Sequence, residues 1–238
     1  DRNDFSVPRL TILQDLSPQV KKTETAFIKG AEVGMICDTI SGNLFDSEKG
    51  ILVLPVSYRR AYIEWRDRKK GGGFVADHGS DGDIVNSCTR DDKGRLTHEN
   101  GNQISVVGEY FIFLIDENGG HTPYVLSMAG SQLKKARKWN TIINQLRIPR
   151  PSGGGTFCPA MFARSYQLTT VPERNDQGSW FGWAIKPSEF TLDIEGGAEI
   201  YVAAREFRKS VMEGKVAASA PSEHEAGSSN SEHDDSPM

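Results

Sequence analysis

Apolar and polar positions alternate most clearly over residues 51–74, ILVLPVSYRRAYIEWRDRKKGGGF. Ile51, Leu52, Val53 and Leu54 form an apolar run that reads as a buried strand. Pro55 lacks an amide donor, so pairing should weaken or bend there. Beyond it, Tyr58, Arg60, Tyr62, Glu64 and Arg66 share one face of an extended chain, and Arg59, Ala61, Ile63 and Trp65 share the other. This pattern assigns Trp65 to the core. Upstream, residues 33–45 read as strand, turn, strand, with Ser41, Gly42 and Asn43 as the turn. Residues 104–115, rich in aromatic and β-branched side chains, predict a central strand, and residues 124–128 return as a third. The period then changes. Leu133, Ala136, Trp139, Ile142, Ile143 and Leu146 recur at helical spacing behind Ser131, a candidate N-cap. Pro149 and Pro151 end that helix and Gly153–Gly155 loosen the loop. Residues 161–171 and 179–186 predict a fourth and a fifth strand around a turn at 174–178. Residues 199–213 read as a second helix.

Long strand, strand, strand, helix, strand, strand is the order of an OB-fold. The expected fold is therefore mainly β: an OB-fold-like five-stranded barrel with a helix between strands three and four, plus a C-terminal helix and a disordered tail. A different mixed β-sandwich gives a similar string. The expected division is an extended N-terminal arm over 1–30, where Pro8 and Pro18 punctuate the chain, the OB-like β-barrel domain over 31–213, and a disordered acidic tail over 214–238. Residues 77–102 are a polar insertion in the barrel domain. The tail carries Glu223, Glu225, Glu232, Asp234 and Asp235 with no apolar periodicity, too little apolar surface to offset the entropy of ordering it.

Charge refines this picture. The 238 residues hold 28 Lys and Arg against 32 Asp and Glu, a formal net charge of −4. A wholly basic coating protein is excluded, and the placement of charge matters more than its sum. Cys37, Cys88 and Cys158 are scattered with no CxxC pair, which argues for a reducing compartment. No stretch approaches a membrane span of about 20 apolar residues. The N-terminal DRNDFSVPRL does not read as a signal peptide. Asp77, Asp81 and Asp83 lack calcium-loop spacing, and His78, Cys88 and His98 lack zinc-ligand spacing. No phosphate-cradling GxxxxGK[ST] and no GxSxG elbow occurs. These patterns argue for a non-catalytic protein without metal or cofactor.

The strongest chemical pattern is the interleaving of Tyr58, Tyr62 and Phe74 with Arg59, Arg60, Arg66, Arg68, Lys69 and Lys70. Rings that stack on bases and cations that neutralise phosphates are what a single-stranded nucleic-acid platform needs. Lys134, Lys135 and Lys138 join them as candidates, because cations in the first turns of a helix oppose its macrodipole and call for a function such as a phosphate contact. A half-buried strand with a solvated edge, and a solvated helix face, account for the same residues without a ligand.

YRRAYIEWRDRKKGGGF, LSMAGSQLKKARKWN and YQLTTVPERNDQGSWFGW resemble segments of small tailed-bacteriophage proteins grouped with phage single-stranded DNA-binding proteins. The resemblance spans roughly residues 8–190. It implies an OB-type barrel, sequence-tolerant binding of single-stranded DNA in phage replication or recombination, and an acidic tail that docks replication proteins. It also implies the host-cell cytoplasm as location. This chain ends Ser236-Pro237-Met238, departing from the terminal aromatic of several relatives. The alternative is a virion or host-takeover interaction module that binds no nucleic acid.

Overall fold

The computed structural model describes residues 6–80, 82–92, 94–176 and 178–221. The chain enters through strands β1 (Ser6–Val7) and β2 (Arg9–Ile12) and forms a small hairpin, β3 (Ile36–Asp38) and β4 (Leu44–Phe45). β5 (Ile51–Trp65) then runs 15 residues without a break. The bend expected at Pro55 appears as a register shift between Pro55 and Ser57, a bulge where the ring removes a ladder donor. A 3-10 turn at Arg68–Lys70 leads into β6 (Phe74–Asp77), and the polar insertion then holds a 3-10 turn at Gly82–Ser87, β7 (Cys88–Arg90) and β8 (Leu96–His98). The long strands β9 (Gln103–Ile115) and β10 (His121–Ala129) lead into helix α1 (Leu133–Gln145). A short hairpin, β11 (Ile148–Pro149) and β12 (Thr156–Phe157), precedes a long one, β13 (Arg164–Asn175) and β14 (Gly178–Phe190). Helix α2 (Gly197–Met212) and β15 (Ala217–Ala218) follow.

The fold is mainly β, as expected, but the sheet carries eleven strands rather than five. Its path is β14-β13-β5-β9-β10-β2-β3-β4, with β6 on β5 and the β7–β8 hairpin on β9. The five long strands follow in the order expected. What enlarges the sheet is the segment read as an arm: β2 lies parallel to β10, Arg9 beside Val125 and Leu10 beside Leu126, and β3 and β4 extend the edge. The sheet curls into a half-barrel. Its two ends meet where the Gln14 amide bonds both the N–H and the carbonyl of Phe181, each at 2.9 Å, and where Thr170 Oγ1 donates to the Gly34 carbonyl at 2.6 Å. Gly34 has φ +94°, and a Cβ there would sit 2.7 Å from the Phe181 ring, so only glycine fits the seam.

The concave face holds the main core. α1 inserts Ala136, Trp139 and Ile143 among Leu10, Ile36, Tyr110, Leu126, Tyr166 and Trp183. Trp139 stacks on Tyr110 at 4.3 Å, and the Tyr110 hydroxyl donates to the Ala136 carbonyl at 2.8 Å. The helix comes this close because β9 carries Gly108: a Cβ there would lie 3.3 Å from the Ala136 Cβ and 3.2 Å from the Tyr58 ring. Ser131 is not the N-cap. A 3-10 turn over Gly130–Gln132 leads into α1, and Gln132 stands at the cap position with no side-chain cap bond. The Gln132 amide is used elsewhere, accepting from the Trp183 N–H at 3.0 Å on edge strand β14.

On the convex face α2 packs Ile200 and Ala204 against Leu54, Val56, Phe113, Ile115 and Phe162. A third cluster joins Ala61, Ile63, Trp65, Val107 and Ala129. The acidic tail begins later than its composition implies, because β15 pairs in parallel with β1. The tail expectation over 222–238 lies outside the described residues.

Candidate nucleic-acid interface

β5 places the candidate residues on two faces with different fates. Arg59 points to the convex side, where its Nε lies 2.7 Å from Glu109 Oε2 and its Nη2 lies 2.5 Å from Asp77 Oδ2. Glu109 is fully buried and its other oxygen is 2.8 Å from Nη2 of the equally buried Arg9. Burial opposes the charge on Arg59, but Glu109 and Asp77 outweigh it and raise its pKa. A buried carboxylate between two guanidiniums is a structural unit, because removing one partner strands a charge in low dielectric. Arg59 is thus an organiser of the sheet. Trp65, 6% exposed, packs edge-on against Phe74 at 6.1 Å.

The other face turns toward α1 and the insertion. Tyr58 is half-buried, its ring 4.8 Å from Tyr110. Tyr62 is half-buried with its hydroxyl beside Gly82. Arg60, between them and paired with Gly108 on β9, is exposed. The two tyrosines therefore frame Arg60 rather than stand free in solvent.

Beyond Trp65 the chain turns over Arg66–Gly73. The Asp67 carbonyl accepts from the N–H groups of Lys70 and Gly72, and its carboxylate accepts from the Lys69 N–H at 2.9 Å. Arg66, Lys69 and Lys70 are exposed on this turn, and Arg68 lies within it. Among the described residues Arg60, Arg66, Lys69 and Lys70 form no ion pair. Lys70 Nζ rests 3.4 Å from the Asn100 carbonyl.

The residue that sequence reasoning missed is Glu64. It is buried, and its oxygens accept from Asn102 Nδ2 at 2.6 Å and Asn100 Nδ2 at 2.8 Å, with His78 Nε2 at 2.8 Å. Burial disfavours the carboxylate, but these three partners outweigh it and hold its pKa at about 2. Glu64 thereby ties the end of β5 to the segment after β6 and to the β8–β9 turn, and so fixes the base of the cationic turn. The available signal was a lone carboxylate inside an apolar strand facing a loop with two asparagines.

On α1, Lys134 and Lys138 are exposed. Lys135 is not available in the same sense, because it forms an ion pair with Glu173. Glu173 also accepts from Gln132 Nε2 at 2.9 Å and Trp180 Nε1 at 2.8 Å. Burial opposes its charge, but these bonds, led by Lys135, lower its pKa. Lys135 therefore clasps α1 to the β13–β14 hairpin.

Among the described residues no group of three or more His, Cys, Asp or Glu side chains is arranged to hold a metal ion, and no helix is long and apolar enough to cross a membrane. What remains is a mainly β protein, a curled half-barrel with exposed cations at one end of its longest strand and along its buried-side helix. The chain belongs to the family of Pam3 phage gp34-like proteins, whose model matches residues 1–217. It is therefore a bacteriophage protein, and its acidic segment follows the matched part. No curated protein and no solved structure matches the chain.

Proposed function

We propose that this phage protein binds single-stranded DNA without sequence preference, on an OB-like scaffold, and performs no catalysis. The observation that carries the reading is the set of exposed cations without ion pairs among the described residues: Arg60 on β5, and Arg66, Lys69 and Lys70 on the turn that leaves the end of β5 braced by Glu64. Fixed cations neutralise phosphates at little ordering cost, and released counterions supply much of the free energy. The order β14-β13-β5-β9-β10, with α1 between the third and fourth long strands, supports the scaffold assignment. Phe74, half-buried where the turn enters β6, and Tyr62, half-buried on β5, offer ring edges to bases, each stack being worth about 1–3 kcal/mol.

The test is a fluorescence titration of labelled oligo-dT with the wild type and with the charge reversal Lys69→Glu, Lys70→Glu. The wild type binds at low salt. The double variant binds more weakly, and its plot of log affinity against log salt is flatter by about 1.4, since each phosphate contact on a single strand accounts for about 0.7 of slope. An unchanged slope and affinity would take the turn out of the site. A wild type that binds no oligonucleotide would leave the interaction-module reading.

A further inference from the structure

Between Glu117 and Glu173 the chain contains no Asp or Glu, yet it contains Lys134, Lys135, Arg137, Lys138, Arg147, Arg150 and Arg164. In a chain with net charge −4 this is a marked local excess of positive charge, and the fold concentrates it. α1 buries Ala136, Trp139 and Ile143, so its opposite side carries Lys134, Arg137 and Lys138, all exposed. Arg147 and Arg150, also exposed, continue past the helix end. Arg150 lies over the Phe157 ring at 5.9 Å. β11 and β12 pair Ile148 with Phe157, and the Arg150 N–H donates to the Gly155 carbonyl at 3.0 Å. The hairpin therefore has a defined base. At its tip, positions 153–155 are glycines with nothing within 4 Å of where a Cβ would stand, so a strand can approach the backbone closely.

We infer that the outer face of α1 and the β11–β12 hairpin form a second contact region for the same single strand, with Arg150 on phosphate and Phe157 against a base. This rests on the function proposed above. α1 begins over Gly108 and advances along β9, since Ala136 meets Gly108 and Trp139 meets Tyr110. The hairpin is therefore at the end of α1 away from the Arg66–Lys70 turn. Five residue steps along β9 from Gln103 to Gly108 and eleven along and just past α1 from Ala136 to Arg147 give a path of about 30 Å between the two regions. A short oligonucleotide fills one region and a long one reaches both.

The test compares oligo-dT at the two ends of the range used by such folds, about 5 and about 16 nucleotides, on wild type, Arg150→Glu, Arg150→Lys and Phe157→Leu. With the long oligonucleotide Arg150→Glu loses affinity at low salt by about tenfold or more, Arg150→Lys stays within about twofold, and Phe157→Leu weakens binding with an unchanged salt slope, as expected for stacking. The short oligonucleotide binds wild type and all three variants alike. Circular dichroism confirms the fold of each. Equal long-strand affinity in all four proteins overturns the second region while leaving the proposed function standing. A wild type that binds neither length overturns both.

Discussion

Glu64 braces the end of β5 from which the cationic turn departs, through His78, Asn100 and Asn102. Its carboxyl is held at about 2 in the folded chain against an ordinary 4.5. A depressed carboxylate stabilises the fold fully above the unfolded value and loses that contribution as pH falls through the folded one. The affected window therefore runs from about pH 4.5 down to about 2, and the shift corresponds to a contribution on the order of 3 kcal/mol. Glu64→Gln should lower stability at pH 7 by that order and flatten the loss of stability across the window, measured by urea unfolding at a series of pH values. Parallel curves for the two proteins would mean that the carboxylate is not a hub. Sequence alone revealed the alternation on β5 and the burial of Trp65, because a strand's two faces are set by a period of two. It did not reveal that Arg59 is consumed by Glu109, because that partner lies 50 residues away on another strand. Nor did it show that Lys135 is held by Glu173, for the same reason.

At the scale of elements, the half-barrel is closed by side chains as well as by strands. β14 is an edge strand 13 residues long, a template for unwanted pairing. Gln14 occupies the edge at Phe181 as a neighbouring strand would, donating and accepting, and Gln132 takes the N–H of Trp183. Gln14→Ala should cost about 1–3 kcal/mol, because it leaves a partly buried donor and acceptor without partners. Amide hydrogen exchange at Phe181 should accelerate in this variant, while exchange at Leu126, in the central β10, follows global unfolding only. Unchanged exchange at Phe181 would show that the seam is held elsewhere. The long strands and α1 were legible because their apolar periods are long. β2 was not, since only four residues between two prolines carry it and its place is decided by a parallel pairing with β10, more than 110 residues later.

At the scale of the whole molecule, the last described residues strap the convex face. β15 pairs with β1, and Arg9 Nε donates to the Ser219 carbonyl at 2.6 Å. The acidic run Glu223 to Asp235 is thus tethered to a domain with exposed cations, where a tethered segment acts at an effective concentration on the order of millimolar. Truncation after Pro221 removes that run and spares the strap. It should tighten oligo-dT binding at low salt, with a gain that shrinks as ionic strength rises. Equal affinities at both salts would leave the tail without this competing role. Truncation after Val216 is the wrong comparison, since it also strips Ser219 from a buried guanidinium. The exposed cations support the proposed account, in which the half-barrel guides a single strand from the Arg66–Lys70 turn. The most direct measurement is the affinity of the intact protein for oligo-dT and for mixed-sequence single strands of equal length across a salt series. The account predicts similar affinities for both and a slope of log affinity against log salt of about −3 or steeper, from Arg60, Arg66, Lys69 and Lys70 at about 0.7 each. No binding at low salt, or a slope near zero, would contradict it.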